Sequence, residues 1–133
     1  MLIISANQWN KYHTLIHNIS KEERIFDIHV IQPCLALPES KDHHTDTESE
    51  ILNKLSETVK YYVVEGYPLL GKECKELRRS GISAHDFSYI FKIEKNTLYK
   101  DFCHLNNEGY NRICDELFQI IKKESISEKD SMY

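Results

Sequence analysis

An aspartate and a histidine stand three residues apart in the stretch YKDFCHLNNEGY, residues 99–110. The spacing of Asp101 and His104 allows one tight loop to present a carboxylate and an imidazole together. Such a pair can move a proton, because the carboxylate orients the imidazole and stabilises its protonated form. The alternative interpretation is that Asp101 caps a local turn and His104 is an ordinary surface residue.

The surroundings of the pair favour the proton-transfer interpretation. It follows the segment ISAHDFSYIF, which is typical of a short strand and a turn. It precedes Asn106, a residue that can cap a helix. Loops at strand ends are where α/β proteins place reactive side chains. The apolar positions of the predicted last helix are Tyr110, Ile113, Leu117, Ile120 and Ile121.

A helix and a strand are predicted in the first part of the chain. Apolar residues recur at helical spacing from Trp9 to Ile19, which predicts an amphipathic helix from about residue 7 to residue 20. The segment IFDIHVIQPCLAL then alternates like a strand and ends near Pro33, because proline cannot donate to a ladder. A strand between helices predicts an α/β unit with a parallel sheet.

The middle of the chain carries start and stop signals for helices. Thr45 with Glu48, or Thr47 with Glu50, can form a capping box at the start of a helix that runs to about residue 65.

Gly66 and Pro68 are expected to break that helix. A second, short helix is predicted to follow and to end at Gly81, a residue suited to a C-terminal stop.

Three segments together resemble the SGNH, or GDSL, family of hydrolases. LYKDFCHLNNEGYNRICDELFQII is similar to the closing block of that family, in which Asp-x-x-His is followed by a HLNxxGN-like turn into the last helix. FDIHVIQPCLAL and SAHDFSYIF resemble a late central strand and the short segment before that block. The resemblance covers most of the chain, but only as the C-terminal portion of such a domain. It implies a three-layer α/β/α, flavodoxin-like fold with a parallel sheet that is here incomplete.

The resemblance also implies a chemistry, that of a serine ester hydrolase or acylhydrolase. In the Ser-His-Asp arrangement of this family, His104 would be the general base and Asp101 would orient it, which makes these two the expected catalytic residues. The substrate would be a small acyl ester. Because the reaction is acyl transfer to water, no metal and no organic cofactor is implied.

The nucleophile block of that family is missing from the sequence. There is no Gly-Asp-Ser, the first glycine is Gly66, and Ser5 has no nucleophile-like context. The oxyanion block Gly-x-Asn-Asp is also missing, with Asn7 or Asn10 as its only conceivable remains. The chain is therefore expected to be inactive alone, and whether it is an enzyme stays open. The alternative is a non-catalytic pseudoenzyme or interaction module.

The expected domain is a partial one over residues 1–123, followed by a polar tail over residues 124–133. An incomplete sheet would have an open edge, which predicts self-association or pairing with another chain.

The net charge of −4, without a basic stripe, argues against nucleic-acid binding. No apolar run approaches the roughly 18 residues of a membrane span, and no secretory signal is seen, so the sequence as written predicts a cytoplasmic protein. Its four cysteines lack a C-x-x-C spacing and are expected to be free thiols.

Two further groups of residues have side chains that could form binding sites. His13 and His17 lie at i, i+4 on the first helix, and His43 and His44 are adjacent in a loop. Without a motif such as H-E-x-x-H, a solvated helix face and a polar loop are predicted rather than a metal site. The second group, Tyr61, Tyr62 and Tyr67, is predicted to pack in the core and at its boundary rather than to bind a ligand.

Overall fold

Helices dominate the computed structural model, which describes the backbone of residues 1–130 and the side chains of residues 1–124. The two strands pair in parallel, with Val30 opposite His85. The last helix runs into the predicted tail, of which residues 131–133 lie outside the described part. In chain order the elements are α1 (Leu2–Glu22), β1 (His29–Ile31), α2 (Asp46–Lys54), α3 (Glu57–Arg79), β2 (Ala84–Asp86) and α4 (Asn107–Asp130).

The predicted three-layer α/β/α fold is wrong, because the described residues form a mostly helical structure with only two three-residue strands. Both strands lie in the segments where strands were expected, but each ends early. After β1, Pro33 has no amide hydrogen for a ladder, and Leu35 N donates instead to Phe102 O over 2.8 Å. After β2, the Asp86 carboxylate accepts a hydrogen bond from Ser88 N over 2.9 Å and turns the chain.

The predicted helix break at Gly66 and Pro68 is also wrong. The helical segment is interrupted earlier, at Ser56. The Ser56 hydroxyl accepts a hydrogen bond from Val59 N over 3.3 Å and caps the start of α3. Pro68 lies inside α3 and costs it one backbone hydrogen bond. Burial of side chains on both sides of the proline offsets this loss, because α3 packs Val63, Cys74 and Leu77 into the core.

Three predicted helix ends are confirmed. The capping box forms at Thr45 and Glu48, where Thr45 N donates to the Glu48 carboxylate over 3.1 Å and Glu48 N donates to the Thr45 hydroxyl over 3.4 Å. Gly81 follows α3 with a φ of 85°, in the left-handed region. The Asn106 side chain accepts a hydrogen bond from Gly109 N over 2.9 Å at the start of α4.

Helix α1 presents most of its apolar stripe outward, whereas Trp9 packs against the core. Tyr12, Leu15, Ile16 and Ile19 are between 47% and 58% exposed. The opposite face packs on α3, where the Asn10 amide donates to the Glu73 carboxylate over 2.8 Å.

His13 and His17 lie partly buried, so the prediction that they belong to a solvated face is wrong. Periodicity identified the apolar stripe but not the side of the helix that the rest of the chain covers.

The core has three parts, and all are built around α3 or the loop that carries Asp101 and His104. The first lies between α3 and the strands, the second beneath that loop, and the third joins the segment after β1 to α3. In that order, they contain Ile31, Cys74, Leu77, Ile82 and Ala84; Leu35, Phe91, Leu98, Tyr99 and Leu105; and Cys34, Leu37 and Val63.

Two expectations about the class of protein can be compared with this structure. All four cysteines are free thiols, as predicted. Over the described residues, none of the helices has both the length and the apolar character needed to cross a bilayer.

Candidate functional site

Asp101 and His104 lie in a short loop whose two ends are bonded to each other. An isolated antiparallel bridge joins Tyr99 to Leu105. Lys100 N donates to His104 O over 2.8 Å inside that bridge. The backbone of the loop is therefore closed, and the side chains on it have defined relative positions.

The loop is pressed against the start of α4. Tyr99 and Leu105 are buried beneath it. Gly109, in the first turn of α4, lies so close that a Cβ added there would be 2.8 Å from Leu98 O. Only glycine permits this approach, so the sequence NNEGY does more than start a helix: it lets the helix support the loop.

A buried ion pair supports the other side of the loop. Lys41 Nζ donates to the Glu48 carboxylate and, over 2.7 Å, to Asn96 O, and both charged side chains are fully buried. The second Glu48 oxygen accepts a hydrogen bond from Leu98 N over 2.9 Å. Burial alone would raise the pKa of Glu48, but hydrogen bonds from Lys41, Leu98 and Thr45 outweigh burial and lower it. A charged carboxylate thus anchors the backbone just before the loop.

The structure brings Asp101 and His104 together. Asp101 Oδ2 lies 2.7 Å from His104 Nδ1, and Asp101 Oδ1 accepts hydrogen bonds from Cys103 N at 2.9 Å and His104 N at 2.7 Å. The bond from Cys103 N contributes most, and with those from His104 it lowers the pKa of Asp101 to about 2. An ionised carboxylate requires a donor, so the neutral His104 ring carries its proton on Nδ1 and its lone pair on Nε2.

The free edge of His104 faces solvent. Its side chain is 69% exposed, and the described residues form no hydrogen bond to Nε2. Asp101 caps the local turn, as the alternative interpretation expected, and it also holds the imidazole. The two interpretations are therefore not exclusive in geometry, and the catalytic role of the pair stays a prediction.

The nearest thiol is poorly placed to act as a nucleophile. Cys103 Sγ lies 3.6 Å from His104 Nδ1, which is the nitrogen already paired with Asp101. Burial, followed by the negative charge of Asp101, raises the pKa of Cys103 to about 11, so the group is a thiol at neutral pH. Cys34, beneath the loop, donates to Phe102 O over 3.2 Å, and burial raises its pKa as well.

Neither a serine nor an amide side chain completes the site within the described residues. None of their serine hydroxyls hydrogen-bonds to His104, and Ser5 donates to Met1 O over 3.3 Å at the start of α1. Asn10 is bonded to Glu73, and Asn7 is an exposed residue of the same helix. The two asparagines therefore show no geometry of an oxyanion site.

The tyrosine group and the two loop histidines differ in their agreement with the sequence predictions. Tyr67 is partly buried, as predicted, and donates to Gln32 O over 3.2 Å. Tyr61 and Tyr62 are largely exposed, so the packing prediction is wrong for them, although their rings contact each other edge to face. His43 and His44 are exposed loop residues, as predicted.

Sequence reasoning missed a second constellation, at the junction of α1 and β1. Asp27 Oδ1 lies 3.1 Å from His17 Nδ1, and Asp27 Oδ2 lies 2.6 Å from His29 Nε2. His13 Nδ1 lies 2.6 Å from His29 Nδ1. The sequence signal that could have indicated this cluster was the i, i+4 pair His13 and His17, together with Asp27 and His29 two residues apart in the strand-like segment. Two groups in the described part have the donors for a metal ion: His17, Asp27 and His29, and Asp101, Cys103 and His104.

Comparisons with known proteins do not extend this description. No family model, no curated protein and no solved structure matches the chain. The resemblance to SGNH hydrolases therefore rests on the quoted motifs alone.

Proposed function

We propose that this chain supplies the acid–base half of a serine ester hydrolase of the acylhydrolase type. The observation that supports the proposal is the 2.7 Å contact between Asp101 Oδ2 and His104 Nδ1, in a loop that exposes the other ring nitrogen. A carboxylate that also accepts two backbone hydrogen bonds cannot rotate freely, so it holds the imidazole in one orientation.

The proposed steps follow from this arrangement. His104 Nε2 removes the proton of a serine hydroxyl as its oxygen attacks the carbonyl carbon of a small acyl ester. The same nitrogen then gives that proton to the departing alcohol, which leaves an acyl-serine. Water repeats the sequence and releases the acid. Asp101 stays ionised throughout and stabilises the imidazolium that forms twice in each cycle.

In this proposal the serine comes from outside these 133 residues. The sequence contains no Gly-Asp-Ser, and none of the described serines is bonded to His104. The oxyanion block Gly-x-Asn-Asp is missing from the sequence as well, and loss of one oxyanion donor typically costs about 10²–10³ in rate. We therefore expect the 133 residues to be inactive alone, with the ester bound where the dyad meets the segment that carries the serine.

Exposed apolar surface supports the need for such a segment. Besides the outward stripe of α1, Ile25 and Phe26 just before β1 are 60% and 45% exposed. Exposed apolar side chains in such number are typical of an interaction site. The two-stranded sheet also has open edges. The proposal therefore includes self-association through such an edge, or pairing with another chain. It also includes a cytoplasmic location.

The same surface favours a second candidate, a non-catalytic interaction module. A module would use the α1 stripe to associate with a partner and would not need the Asp101–His104 pair. The two candidates therefore differ in what happens when His104 is removed: association persists in both, but only the hydrolase loses a reactive serine.

Labelling with a fluorophosphonate, a reagent that modifies activated serines, separates these candidates. The chain would be tagged, expressed in its source cells and purified with its partners. We expect one labelled serine outside the 133 residues, lost in His104→Ala although the complex still forms, and kept in the exposed-loop control His44→Ala. Association without any labelled serine would leave the interaction module. A labelled serine inside residues 1–133 would contradict the proposal.

Oligomeric state tests the partner requirement separately. Sedimentation of the pure chain is expected to show self-association, because the apolar side chains on α1 are exposed and the described sheet has only two strands. A stable, monodisperse monomer would count against the open-edge part of the proposal.

A further inference from the structure

The junction of α1 and β1 brings together one aspartate and three histidines, two of which contact the aspartate. One atom each of His17, Asp27 and His29 can serve as a ligand, and these three atoms lie within 4.8 Å of one another. None of these residues belongs to the Asp101–His104 loop. An inference about them is therefore independent of the proposed function.

Local geometry explains how the chain brings the four residues together. His13 and His17 are four residues apart on α1 and therefore lie on one face of the helix. Asp27 and His29 alternate in the extended segment that enters β1, so their side chains point to the same side. The helix face and the strand side meet, which leaves His29 only 5% exposed.

The donor set suits a divalent transition-metal ion. Two imidazoles and one carboxylate are the protein ligands of many zinc and non-haem iron sites, which keep further positions for water or substrate. Asp27 Oδ1 and His17 Nδ1 are 3.1 Å apart, a spacing close to that of two ligands on one small ion. Asp27 and His29 at 2.6 Å would separate slightly to admit the ion.

His13 does not reach the proposed ion but contacts one of its ligands, His29. A histidine that binds a metal usually donates its other ring N–H to a neighbouring acceptor, which fixes its orientation. His29 has such a neighbour, because its Nδ1 lies 2.6 Å from His13 Nδ1. Without an ion, His29 Nε2 would donate its proton to the Asp27 carboxylate. With the ion bound, the His29 proton would instead lie on Nδ1 and be donated to His13 Nδ1, which leaves the lone pair of Nε2 for the ion.

A cavity of about 660 Å³ adjoins two of the three ligands. His17 and Asp27 line it, together with the basic residues Lys21, Arg24 and Arg78. Coordination positions that the protein does not fill would therefore face an accessible polar space. We propose that His17, Asp27 and His29 bind a divalent transition-metal ion of the zinc type, with His13 as a positioning residue.

Calorimetric titration of the whole chain with zinc chloride tests the proposal. We expect one ion per chain. His17→Ala and Asp27→Asn should each weaken binding by more than about 100-fold, because each removes a ligand, whereas loss of a residue that only hydrogen-bonds to a ligand costs about 10–100-fold. His13→Phe keeps a ring against Trp9 and removes only the acceptor, so it should fall in that lower range.

Two controls address the other histidines. His43→Ala removes an exposed loop imidazole and should leave the affinity unchanged. His104→Ala removes a ligand from the other candidate group, which includes the Cys103 thiol, and should also leave it unchanged. Titration with cobalt(II) adds a spectroscopic readout: the proposed site predicts ligand-field bands without a thiolate charge-transfer band.

Several outcomes would overturn the proposal. These are no zinc binding by the wild-type chain, binding that disappears in His104→Ala, or a cobalt spectrum with a thiolate band. Binding that survives both His17→Ala and Asp27→Asn would also overturn it. Far-UV circular dichroism identifies folded variants. Asp27→Asn, which is nearly isosteric, remains informative if His17→Ala proves unfolded.

Discussion

Replacing Lys41 by methionine tests whether a buried ion pair holds the base of the Asp101–His104 loop. Methionine has nearly the same length and no charge, so the substitution removes the ammonium while keeping most of the packing. The Glu48 carboxylate would remain buried, bonded to Leu98 N and Thr45 N but without a counter-charge. Asn96 O would also lose its donor.

The expected cost follows from these contacts. Removing one partner of a buried pair typically costs about 3–5 kcal/mol, because the other charge stays uncompensated. Glu48 keeps two backbone donors, so we expect the lower end, about 3 kcal/mol in the free energy of unfolding. In a domain of this size, 1 kcal/mol shifts Tm by roughly 3–5 °C, which gives a loss on the order of 10 °C.

Urea denaturation followed by circular dichroism measures this cost against a matched exposed pair. Lys54 and Glu50 are 3.5 Å apart, with side chains 78% and 71% exposed, so Lys54→Met should cost less than about 0.5 kcal/mol. Adding Glu48→Gln to Lys41→Met should recover part of the loss, since no unpaired charge remains. If Lys41→Met costs no more than Lys54→Met, the pair does not support the loop as described.

Three other predictions concern the same loop. Gly109→Ala places a Cβ 2.8 Å from Leu98 O and should lower the free energy of unfolding by about 1–3 kcal/mol. In the control Gly66→Ala the Cβ meets only a side-chain carbon at 3.8 Å, so this variant should be neutral or stabilising in the same denaturation assay. Equal effects of the two substitutions would contradict the close approach at Gly109. The Asp101 carboxyl should titrate near pH 2 by carbon NMR, below its ordinary 3.8, so its contribution to stability is complete above pH 3.8 and is lost as pH falls towards 2; a midpoint near 4 would refute the hydrogen bonds to it. The pure chain should hydrolyse p-nitrophenyl acetate no faster than its His104→Ala variant, and a rate that depends on His104 would show that the chain is not inactive alone.

Features set by a few neighbouring residues could be predicted from the sequence. The caps at Thr45 and Asn106 involve partners within three residues, and the stop at Gly81 depends on one backbone angle. The contact of Asp101 with His104 is of the same kind, because one turn contains both groups. Local chemistry decides such features, whatever the rest of the chain does.

Features that depend on distant packing were missed. The periodicity of α1 does not say which face α3 will cover. In the structure α3 packs against the side with Asn10, although the other side of α1 is more apolar. The helix persists through Pro68 because burial outweighs one lost hydrogen bond. His17 meets Asp27 only through the approach of α1 to β1, which no spacing in the sequence encodes.

The most direct test of the Asp101–His104 pair is the tautomer of His104, read by nitrogen-15 NMR of the imidazole in the whole chain. The proposed role requires the neutral ring to carry its proton on Nδ1, bonded to Asp101, and a lone pair on Nε2. Asp101→Asn should abolish that preference, because the amide no longer demands a donor. A neutral His104 protonated on Nε2 in the wild-type chain, or one unchanged by Asp101→Asn, would contradict the acid–base assignment.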